Sequence, residues 1–348
     1  MSYSFLKGDG AEKRKRLYYY EQQRNVSVRQ GHFSGYLYRL MTTAIPLPYR
    51  AFFGKDADIT HFFNYIIPPG VAGKRIVTVH DMVYKTFPET VRGRTRFMLE
   101  SGLQRSLHRA DLIVTDSEFS KTEIIRYFPA TEERIRVVPC GVDKLRFSPM
   151  PPAAAPAIEE LKRRMHLQTN YFLYLGTLEP RKNLDRLIRA YALLKQQHPD
   201  APQLVLAGGY GWRNNHIYQL VQTLHLEDDV LFTEYVPEED VQPLLCGAMA
   251  FVFPSVYEGF GMPPLEAMAC GTPVLTPRAA SLPEVVGDAA VIVDPHHTED
   301  IAQGLEKLFL DAALRERLQK EGLRRAAMFS WENAAAALYD VYQEALTR

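Results

Sequence analysis

Cysteine is scarce in this chain of 348 residues, and the few cysteines form no motif. Cys140, Cys246 and Cys270 lie far apart and include no C-x-x-C pair. This pattern argues against a disulfide framework and against a cysteine-rich zinc site. It favours a reducing compartment, so we expect the protein in the cytoplasm.

Long hydrophobic runs and a recognisable secretory signal are also missing. No apolar stretch approaches the roughly 20 residues that a membrane-spanning helix needs. The hydrophobic content of 46% is nevertheless normal for a globular protein with a real core. The length is comfortable for two domains.

Net charge is zero overall, but the charges are unevenly distributed. Residues 1–150 hold 24 of the 41 Lys and Arg but only 15 of the 41 Asp and Glu, an excess of nine positive charges. One interpretation is that this half faces an anionic membrane, here the inner face of the cell membrane, or an acidic substrate. The other is that the two halves neutralise each other across an interface.

Strands and helices alternate along the C-terminal half, from "YFLYLG" through "QLVLAGG", "VLFT", "AFVFP" and "PVLTP" to "AVIVDP". Short apolar strands separated by helices indicate βαβ units and a parallel sheet. The N-terminal half repeats the pattern more weakly in "RIVTVHD", "LIVTDSEFS" and "IRVVPCGVD", where Ser117 is positioned to cap a helix. A Pro/Ala-rich linker near 147–157 separates the halves. We therefore predict an α/β fold of two doubly wound domains with a cleft between them.

The first 50 residues are the least informative part of the chain. A doubly wound domain usually opens with an apolar strand and a glycine loop, and this sequence offers a short apolar start and a charged run. Either the first strand is missing or the sequence departs from the usual form.

A basic pair follows the first strand of the C-terminal half, in "YLGTLEPRKNL". The strand ends at Gly176, the loop carries Arg181 and Lys182, and a helix begins near Asn183. Adjacent cations at the start of a helix suit a phosphate group, because helix amides and side-chain charges act together. The alternative is an exposed basic pair without function.

A second loop, in "YEGFGMPPLEAMACG", follows the strand "FVFP" and contains two glutamates eight positions apart. Gly259 and Gly261 let the backbone approach a ligand, and a proline fits the first turn of the helix that follows. Glu258 lies in the loop and Glu266 lies about one turn into the helix. Their different positions argue against a pair of acids that share a proton.

His80, in "VTVHD", is placed at the end of a strand in the other half and could contact a sugar hydroxyl. A histidine packed at a strand end is the alternative. "DITHFFNYIIPP" places His61 and Asn64 similarly, which makes them candidates for an acceptor site.

Two further matches are set aside. Asp56-Ala57-Asp58 fits the D-x-D pattern of metal-dependent sugar transferases, but it precedes a strand far from the phosphate loop. "GGYGW" is rich in glycine without G-x-G-x-x-G spacing. We read the first as a surface turn and the second as weak evidence for a dinucleotide.

Taken together, these motifs resemble the retaining glycosyltransferases of family 4, which have the two-domain GT-B fold and use nucleotide-sugar donors. The resemblance covers about residues 58–348 and is carried by "YLGTLEPRKNLDRLIRAY", "FVFPSVYEGFGMPPLEAMACGTPVL", "SLPEVVGDAAVIVDP", "FSWENAAAAL", "VTVHDMVY" and "TDSEFSK". It implies an acceptor-side domain over 1–150, a donor-binding domain over 151–329, and a helix over 330–348 that crosses back to the first domain.

The resemblance also implies roles for individual residues. Lys182 and Arg181 would hold the donor diphosphate, Glu266 would bind the ribose hydroxyls, and Glu258 and His80 would contact the donor sugar. The catalytic candidates are His80, Arg181, Lys182 and Glu258. The remaining donor-binding candidates are Gly176, Thr177, Tyr235, Val236, Gly259, Phe260, Gly261, Leu265 and Glu266.

The implied reaction moves a hexose, with mannose from GDP-mannose favoured, to a hydroxyl of a glycan or lipid-linked acceptor. No metal or resident cofactor is implied, and nucleic acid is not expected as a partner. Two departures matter: Thr177 stands where many relatives have arginine, and "GHFSGYLYR" is a poor substitute for the usual N-terminal glycine loop. An inactive nucleotide-sugar-binding or scaffold protein and a GT-B epimerase are therefore kept as alternatives.

Overall fold

A computed structural model describes residues 2–5, 28–31, 49, 57–209 and 215–348 of the chain. Within these ranges the chain divides into two compact units. The smaller unit consists of residues 1–79, 97–114 and 341–348, and the larger one consists of residues 80–96 and 115–340. In the described part of the chain, no helix combines the length and apolar character that crossing a bilayer requires.

The N-terminal half contains short parallel strands. Their bounds are β1 (Ser2–Phe5), β2 (Val28–Gly31), β3 (Ile59–Phe62), β4 (Lys74–Thr78), β5 (Leu112–Thr115) and β6 (Ile135–Val137). The helices are α1 (Val83–Thr86), α2 (Gly93–Arg109) and α3 (Glu118–Tyr127). β1 pairs with β2, so a strand does exist at the short apolar start of the chain. The three strands predicted in this half are present as β4, β5 and β6.

In the smaller unit, β4 pairs in parallel with β3 on one side and with β5 on the other. Ile76 and Val77 of β4 are fully buried. Three leucines at helical spacing on α2, Leu99, Leu103 and Leu107, are also buried. This spacing places them on one face of the helix, which is how an amphipathic helix covers a sheet.

The C-terminal half forms a doubly wound parallel sheet. Its strands are β7 (Tyr171–Leu175), β8 (Gln203–Ala207), β9 (Val230–Phe232), β10 (Ala250–Val252), β11 (Val274–Pro277) and β12 (Val291–Val293). Its helices are α4 (Ala155–Arg164), α5 (Leu184–Gln197), α6 (Asn215–Thr223), α7 (Glu238–Cys246), α8 (Met262–Ala269), α9 (Leu282–Val286), α10 (Thr298–Leu310), α11 (Ala312–Ala327) and α12 (Trp331–Thr347). The strands and helices that the sequence pattern predicted in this half are present. The strands were recognisable because a parallel strand that is covered on both faces has a continuous apolar run.

The strand order β12-β11-β10-β7-β8-β9 decides where a ligand can bind. From β7 the chain builds outward through β8 and β9, and it then returns to β10 on the other side of β7. The neighbours β7 and β10 therefore form the switch point of the sheet. Loops at the carboxyl ends of such strands diverge and leave a crevice, which is where doubly wound sheets bind ligands.

Candidate active site

The loop after β7 is shaped by close backbone packing. The amide of Gly176 donates to Ala207 O (2.9 Å), and a Cβ added to Gly208 would lie 2.0 Å from the carbonyl oxygen of Gly176. Only glycine allows this approach at position 208, where φ is also +144°. The loop then makes one 3-10 turn over Pro180–Lys182 before α5.

Asn183 fixes the start of α5, as the sequence predicted. It adopts the left-handed conformation, with φ of 60°, directly before the first helical residue. Its side-chain amide donates to Pro254 O (3.2 Å), after β10, and to Pro295 O (2.8 Å), after β12. A buried asparagine therefore ties the phosphate-loop candidate to two other loops at the same edge of the sheet.

Arg181, Lys182 and Glu258 form one ionic cluster across the switch point. Lys182 Nζ donates to Glu258 Oε1 (2.7 Å), and Arg181 Nη1 lies 2.9 Å from Glu258 Oε2. Arg181 also donates to Glu179 Oε1 (2.7 Å) and to Tyr257 O (2.6 Å). Ser255 Oγ is a further donor to Glu258. The basic pair predicted from one loop and the first glutamate predicted from the other are thus in direct contact.

The ionic cluster is buried, so its charged groups strongly affect one another's pKa values. The side chains of Lys182 and Glu258 are only 10% and 12% exposed. Burial would raise the pKa of Glu258, but Lys182 and Arg181 more than offset it and hold that pKa below its usual value. Burial would lower the pKa of Arg181, but Glu258 and Glu179 more than offset it and raise that pKa. Burial lowers the pKa of Lys182, and Glu258 opposes that shift. Glu258 is therefore an anion held between two cations.

The loop after β10 is held in place from several sides. Ser281 Oγ donates to Glu258 O (2.8 Å) and to Phe260 O. Gly261 has φ of +132° and directly precedes α8, and a Cβ added there would lie 2.9 Å from Leu282. Pro263 occupies the first turn of α8, so the predicted proline position is confirmed.

Glu266 lies apart from Glu258, one turn into α8. Burial raises its pKa to about 7, and Arg146 acts in the opposite direction. Glu258, by contrast, has two cations as near partners. The two glutamates therefore occupy different electrostatic environments, as their positions in the sequence indicated.

His80 follows the last residue of β4 by two positions and is the first residue of the larger unit. Its Nδ1 is 2.7 Å from Asp116 Oδ2. Burial, with Asp116 as the second cause, raises the pKa of the Cys140 thiol to about 12. A carboxylate beside Nδ1 selects the tautomer with the proton on that nitrogen, so Nε2 is oriented away from Asp116.

Gly259 lies directly against the backbone at His80. A Cβ added there would be 2.3 Å from His80 O. The carbonyl of Gly259 accepts from Ser117 Oγ (2.7 Å) and Ser120 Oγ (3.0 Å), at the start of α3. Ser117 also accepts from the Ser120 amide (3.0 Å), which confirms it as the cap of α3. Within the larger unit, the loop after β10 is therefore joined to His80 and to the start of α3.

Several candidates are buried in the core instead of being displayed to a ligand. The exposed fractions of Leu265, Val236 and Phe260 are 0%, 6% and 7%, and all three belong to the hydrophobic core. Tyr235 is 73% exposed. Any donor contact by Leu265, Val236 or Phe260 must therefore come through the backbone.

His61 and Asn64 belong to the smaller unit. His61 Nδ1 lies 2.8 Å from Tyr342 Oη, and its Nε2 lies 2.8 Å from Thr78 Oγ1. Both ring nitrogens therefore have partners within the protein, while Asn64 is exposed. The ionic cluster, by contrast, belongs to the larger unit.

The structure adds residues that the sequence did not single out. Glu179 and Ser255 hold the ionic cluster, Asp116 holds His80, and Tyr257 Oη accepts from the Met82 amide (3.0 Å). Glu284 of α9 accepts from the Glu118 and Phe119 amides at the start of α3 (2.8 and 2.6 Å). Of these residues, only Glu179 could have been suggested by the sequence, because it lies two positions before Arg181.

The two motifs that were set aside are only partly described by the structure. Asp56 and the tyrosine and tryptophan of "GGYGW" lie outside the described residues, and Asp58 is exposed. Among the residues that the structure describes, no group of three or more His, Cys, Asp or Glu is arranged to hold a metal ion.

Comparison with known proteins gives the same family for both halves. Residues 158–325 match the family model of glycosyl transferases group 1, and residues 7–146 match glycosyltransferase family 4. The O-antigen chain mannosyltransferase B of Escherichia coli is 38% identical over 288 residues, which are 82% of this chain and 74% of that protein. The serotype-specific mannosyltransferase WbdA of Escherichia coli is 32% identical over 268 residues, which are 76% of this chain. The chain spans only 33% of the length of WbdA.

Among solved structures, Anabaena Alr3699/HepE in complex with UDP and glucose superposes with a TM-score of 0.74. The match covers 98% of this chain and 91% of that one at 18% identity, so it shows the fold alone. The fold is GT-B, as the resemblance implied. The chain thus belongs to the group 1 glycosyltransferases of the family 4 type, a family of transferase enzymes.

Proposed function

We propose that this chain transfers mannose from GDP-mannose to a hydroxyl of a glycan or lipid-linked acceptor, with retained configuration and without a metal ion. The observation that carries the proposal is the contact of Arg181 and Lys182 with Glu258 at the switch point of the sheet. The choice of mannose is supported by the mannosyltransferase relatives.

Electrostatic stabilisation of the leaving group supplies the main part of the proposed catalysis. Breaking the anomeric C–O bond builds negative charge on the leaving diphosphate. Lys182 and Arg181 are buried cations, so they interact with this charge more strongly than they would in water. Arg181 is already oriented by Glu179 and by Tyr257 O, which lowers the cost of reorganisation.

Glu258 balances the two cations when no donor is bound. When the diphosphate takes over that role, the carboxylate becomes available for hydroxyls of the donor sugar. Glu266 binds the ribose, and His80, oriented by Asp116, contacts the sugar from the other side. The proposed scheme uses no resident cofactor. The nucleotide sugar takes part as a substrate.

Retention follows if the acceptor approaches on the face that the phosphate leaves. The acceptor oxygen forms its bond to the anomeric carbon as the carbon–phosphate oxygen bond breaks, and the acceptor proton passes to the departing phosphate oxygen. A double displacement with Glu258 as the nucleophile is the less favoured route, because two cations already bind that carboxylate.

A thermal-shift panel of GDP, UDP and ADP sugars, followed by a transfer assay, tests the proposal. Ligand at about 100 times its Kd adds about 2.7 kcal/mol of stability, so the true donor raises Tm clearly. We expect GDP-mannose to give the largest shift, and we expect radiolabelled mannose to enter a membrane lipid extract of the source cells.

The assay also separates the alternatives. Binding without transfer would indicate a scaffold protein, and conversion of the nucleotide sugar without an acceptor would indicate an epimerase. A product with the inverted anomeric configuration would refute the retaining scheme. Full transfer after complete removal of divalent cations is expected, and loss of transfer under those conditions would refute metal independence.

A further inference from the structure

A pocket of about 290 Å³ opens beside Arg181 of the ionic cluster. It is lined by Val83, Thr90, Val91, Arg92, Thr177, Glu179 and Arg181. We infer that this pocket binds the terminal sugar ring of the acceptor. The inference rests on the proposed function, and it assigns an acceptor subsite different from the one that His61 and Asn64 suggested.

The size of the pocket fits one sugar ring. Pockets for complete small ligands and cofactors start at about 300 Å³ and reach roughly 1,000 Å³. A volume of about 290 Å³ is therefore small for a whole nucleotide sugar. A single ring at the end of a longer chain, with the rest of the glycan in solvent, fits this volume.

The lining matches the two kinds of surface that a hexose presents. Val83 and Val91 provide apolar contact for the C–H face of a ring. Thr90, Thr177 and Glu179 place hydroxyl and carboxylate oxygens around it. Thr90 Oγ1 already donates to Phe87 O (2.7 Å), so its free lone pairs can accept from a sugar hydroxyl.

Arg92 and Thr177 supply hydrogen-bonding groups that the protein itself does not use. Across the described part of the chain, the Arg92 guanidinium and the Thr177 hydroxyl form no hydrogen bond or ion pair. Both residues are exposed at the pocket. The side chain at 177 is short where many relatives have arginine, so it also leaves space for a ligand.

The position of the pocket suits an attacking hydroxyl. Arg181 lines the pocket and also contacts Glu258 (2.9 Å), so a ring bound there lies next to the proposed diphosphate position. Retention requires the acceptor oxygen to arrive on the face that the phosphate leaves. An acceptor ring beside Arg181 would have its hydroxyls close to the phosphate that leaves, which is the placement that this requirement calls for.

An anion is a poorer occupant of this pocket than a sugar. Glu179 lines it and forms an ion pair with Arg181 (2.7 Å), and the diphosphate of the donor is already assigned to the opposite partner of Arg181, the position of Glu258 (2.9 Å). A second diphosphate position would place negative charge against the Glu179 carboxylate. Hydroxyl groups, which both donate and accept, can bond to the carboxylate, the threonines and Arg92 together.

Two substitutions test the subsite: Arg92→Ala and Thr90→Val. The donor is the nucleotide sugar that the thermal-shift panel selects, and the acceptor is the membrane lipid extract of the source cells. We expect the half-saturating acceptor concentration to rise by roughly tenfold in Arg92→Ala, the effect of losing one charged hydrogen bond. Thr90→Val raises it less. Donor binding by thermal shift and hydrolysis of the donor by water stay unchanged in both variants.

Matched controls come from α2, the helix that begins directly after Arg92. Arg105→Ala and Thr95→Val remove exposed side chains of the same type outside the pocket, and we expect no effect from either. An unchanged acceptor requirement in Arg92→Ala would overturn the subsite. Weakened donor binding would overturn it as well, and would assign the pocket to the donor phosphates. If the wild-type chain bound no nucleotide sugar, or transferred none, the proposed function itself would fail.

Discussion

Lys182 is the residue on which the proposed catalysis depends most. It is buried against Glu258 (2.7 Å) and lies over the ring of Phe253, 5.0 Å from its centroid. A buried lysine whose charge is balanced by one carboxylate can release that carboxylate only when another anion arrives. In the proposed scheme, Lys182 therefore interacts with negative charge of the substrate only when the diphosphate is bound.

Lys182→Ala is expected to lower kcat by a factor of about 10² or more, the effect of removing one preorganised group that stabilises transition-state charge. Transfer and Tm are measured in parallel, because the variant leaves Glu258 buried with one cation less. Lys162→Ala is the matched control: Lys162 is also buried and paired with a glutamate (2.8 Å), but it lies on α4. Wild-type turnover in Lys182→Ala would refute the scheme.

Glu266 gives a pH dependence that can be attributed to one group. Its pKa is raised to about 7 by burial. In the proposed ribose site, the carboxylate accepts two hydrogen bonds from ribose hydroxyls, which the protonated acid does less well. Donor affinity should therefore rise about tenfold from roughly pH 6 to pH 8. Titration calorimetry at several pH values across this range measures the donor affinity. The donor affinity of Glu266→Gln should not change with pH.

The same group affects stability with the opposite sign. Because its folded-state pKa lies above the usual value of 4.5, the folded chain binds this proton more tightly than the unfolded chain. The resulting stability is fully present below about pH 4.5 and is lost as the pH rises through about 7. The advantage of Glu266→Gln over the wild type in free energy of unfolding should therefore grow across this window. Equal pH dependence in both proteins would contradict the assignment.

Asp116 is expected to act through His80 as a positioning residue. Removing the carboxylate frees the imidazole ring to change tautomer and orientation. Asp116→Ala should lower kcat by about tenfold with little change in donor Kd. Asp116→Asn keeps an acceptor oxygen, so its kcat should lie between those of the wild type and Asp116→Ala. The ¹⁵N chemical shifts of the His80 ring report the tautomer directly. Cys140→Ser controls for packing around Asp116, and a similar loss in that variant would point to a purely structural role.

At the scale of elements, the start of α3 is held by a residue far away in sequence. Glu284 of α9 accepts from two backbone amides of α3, and Ser117 accepts from a third. These are amides that an isolated helix leaves without partners, and a carboxylate there also interacts favourably with the helix dipole. The contact links the loop region around α9 to the serines that hold Gly259.

Glu284→Ala should lower the free energy of unfolding by about 1 to 2 kcal/mol, the usual effect of losing a helix cap. Glu284→Gln keeps acceptor oxygens and should lose less. Chemical denaturation measures both, and hydrogen exchange should show faster opening of α3 in the alanine variant only. Equal stability of the two variants would mean that the carboxylate is not an effective cap.

At the scale of the whole molecule, the uneven charge predicts a salt-dependent surface interaction. Residues 1–150 carry nine more positive than negative charges, and Arg94 and Arg96 of α2 are among their cations. Phe97, the next residue on α2, is 72% exposed. An exposed aromatic ring among cations suits peripheral contact with an anionic bilayer. We propose this contact together with a location at the inner face of the cell membrane.

The chain should therefore float with vesicles that contain anionic lipid and not with neutral ones. Binding should fall as salt rises, because the Debye length shrinks from about 10 Å at 0.1 M to about 3 Å at 1 M. Phe97→Ser should weaken flotation, whereas Tyr339→Ser, on α12 and 60% exposed, serves as the control. Flotation that is independent of lipid charge would contradict the electrostatic explanation.

Much of the site was predictable because its signals are local. The apolar run before "GTLEPRKN" marks a strand, and the cations after it lie at the start of α5 as predicted. Gly261 and Pro263 mark the start of α8 in the same way. Asp116 and Glu284 could not be predicted, because each gains its role from a partner 36 or more positions away. The burial of Val236 and Leu265 was missed for the same reason.

The sequence by itself determined which segments are strands and helices, which loops carry charge, and that Glu258 and Glu266 differ. These properties follow from periodicity and turn chemistry over a few residues. The tertiary structure alone decided that β7 and β10 are neighbours, since strand order depends on pairing between distant segments. That adjacency brings Lys182 and Arg181 onto Glu258, and it converts two separate loop motifs into one site.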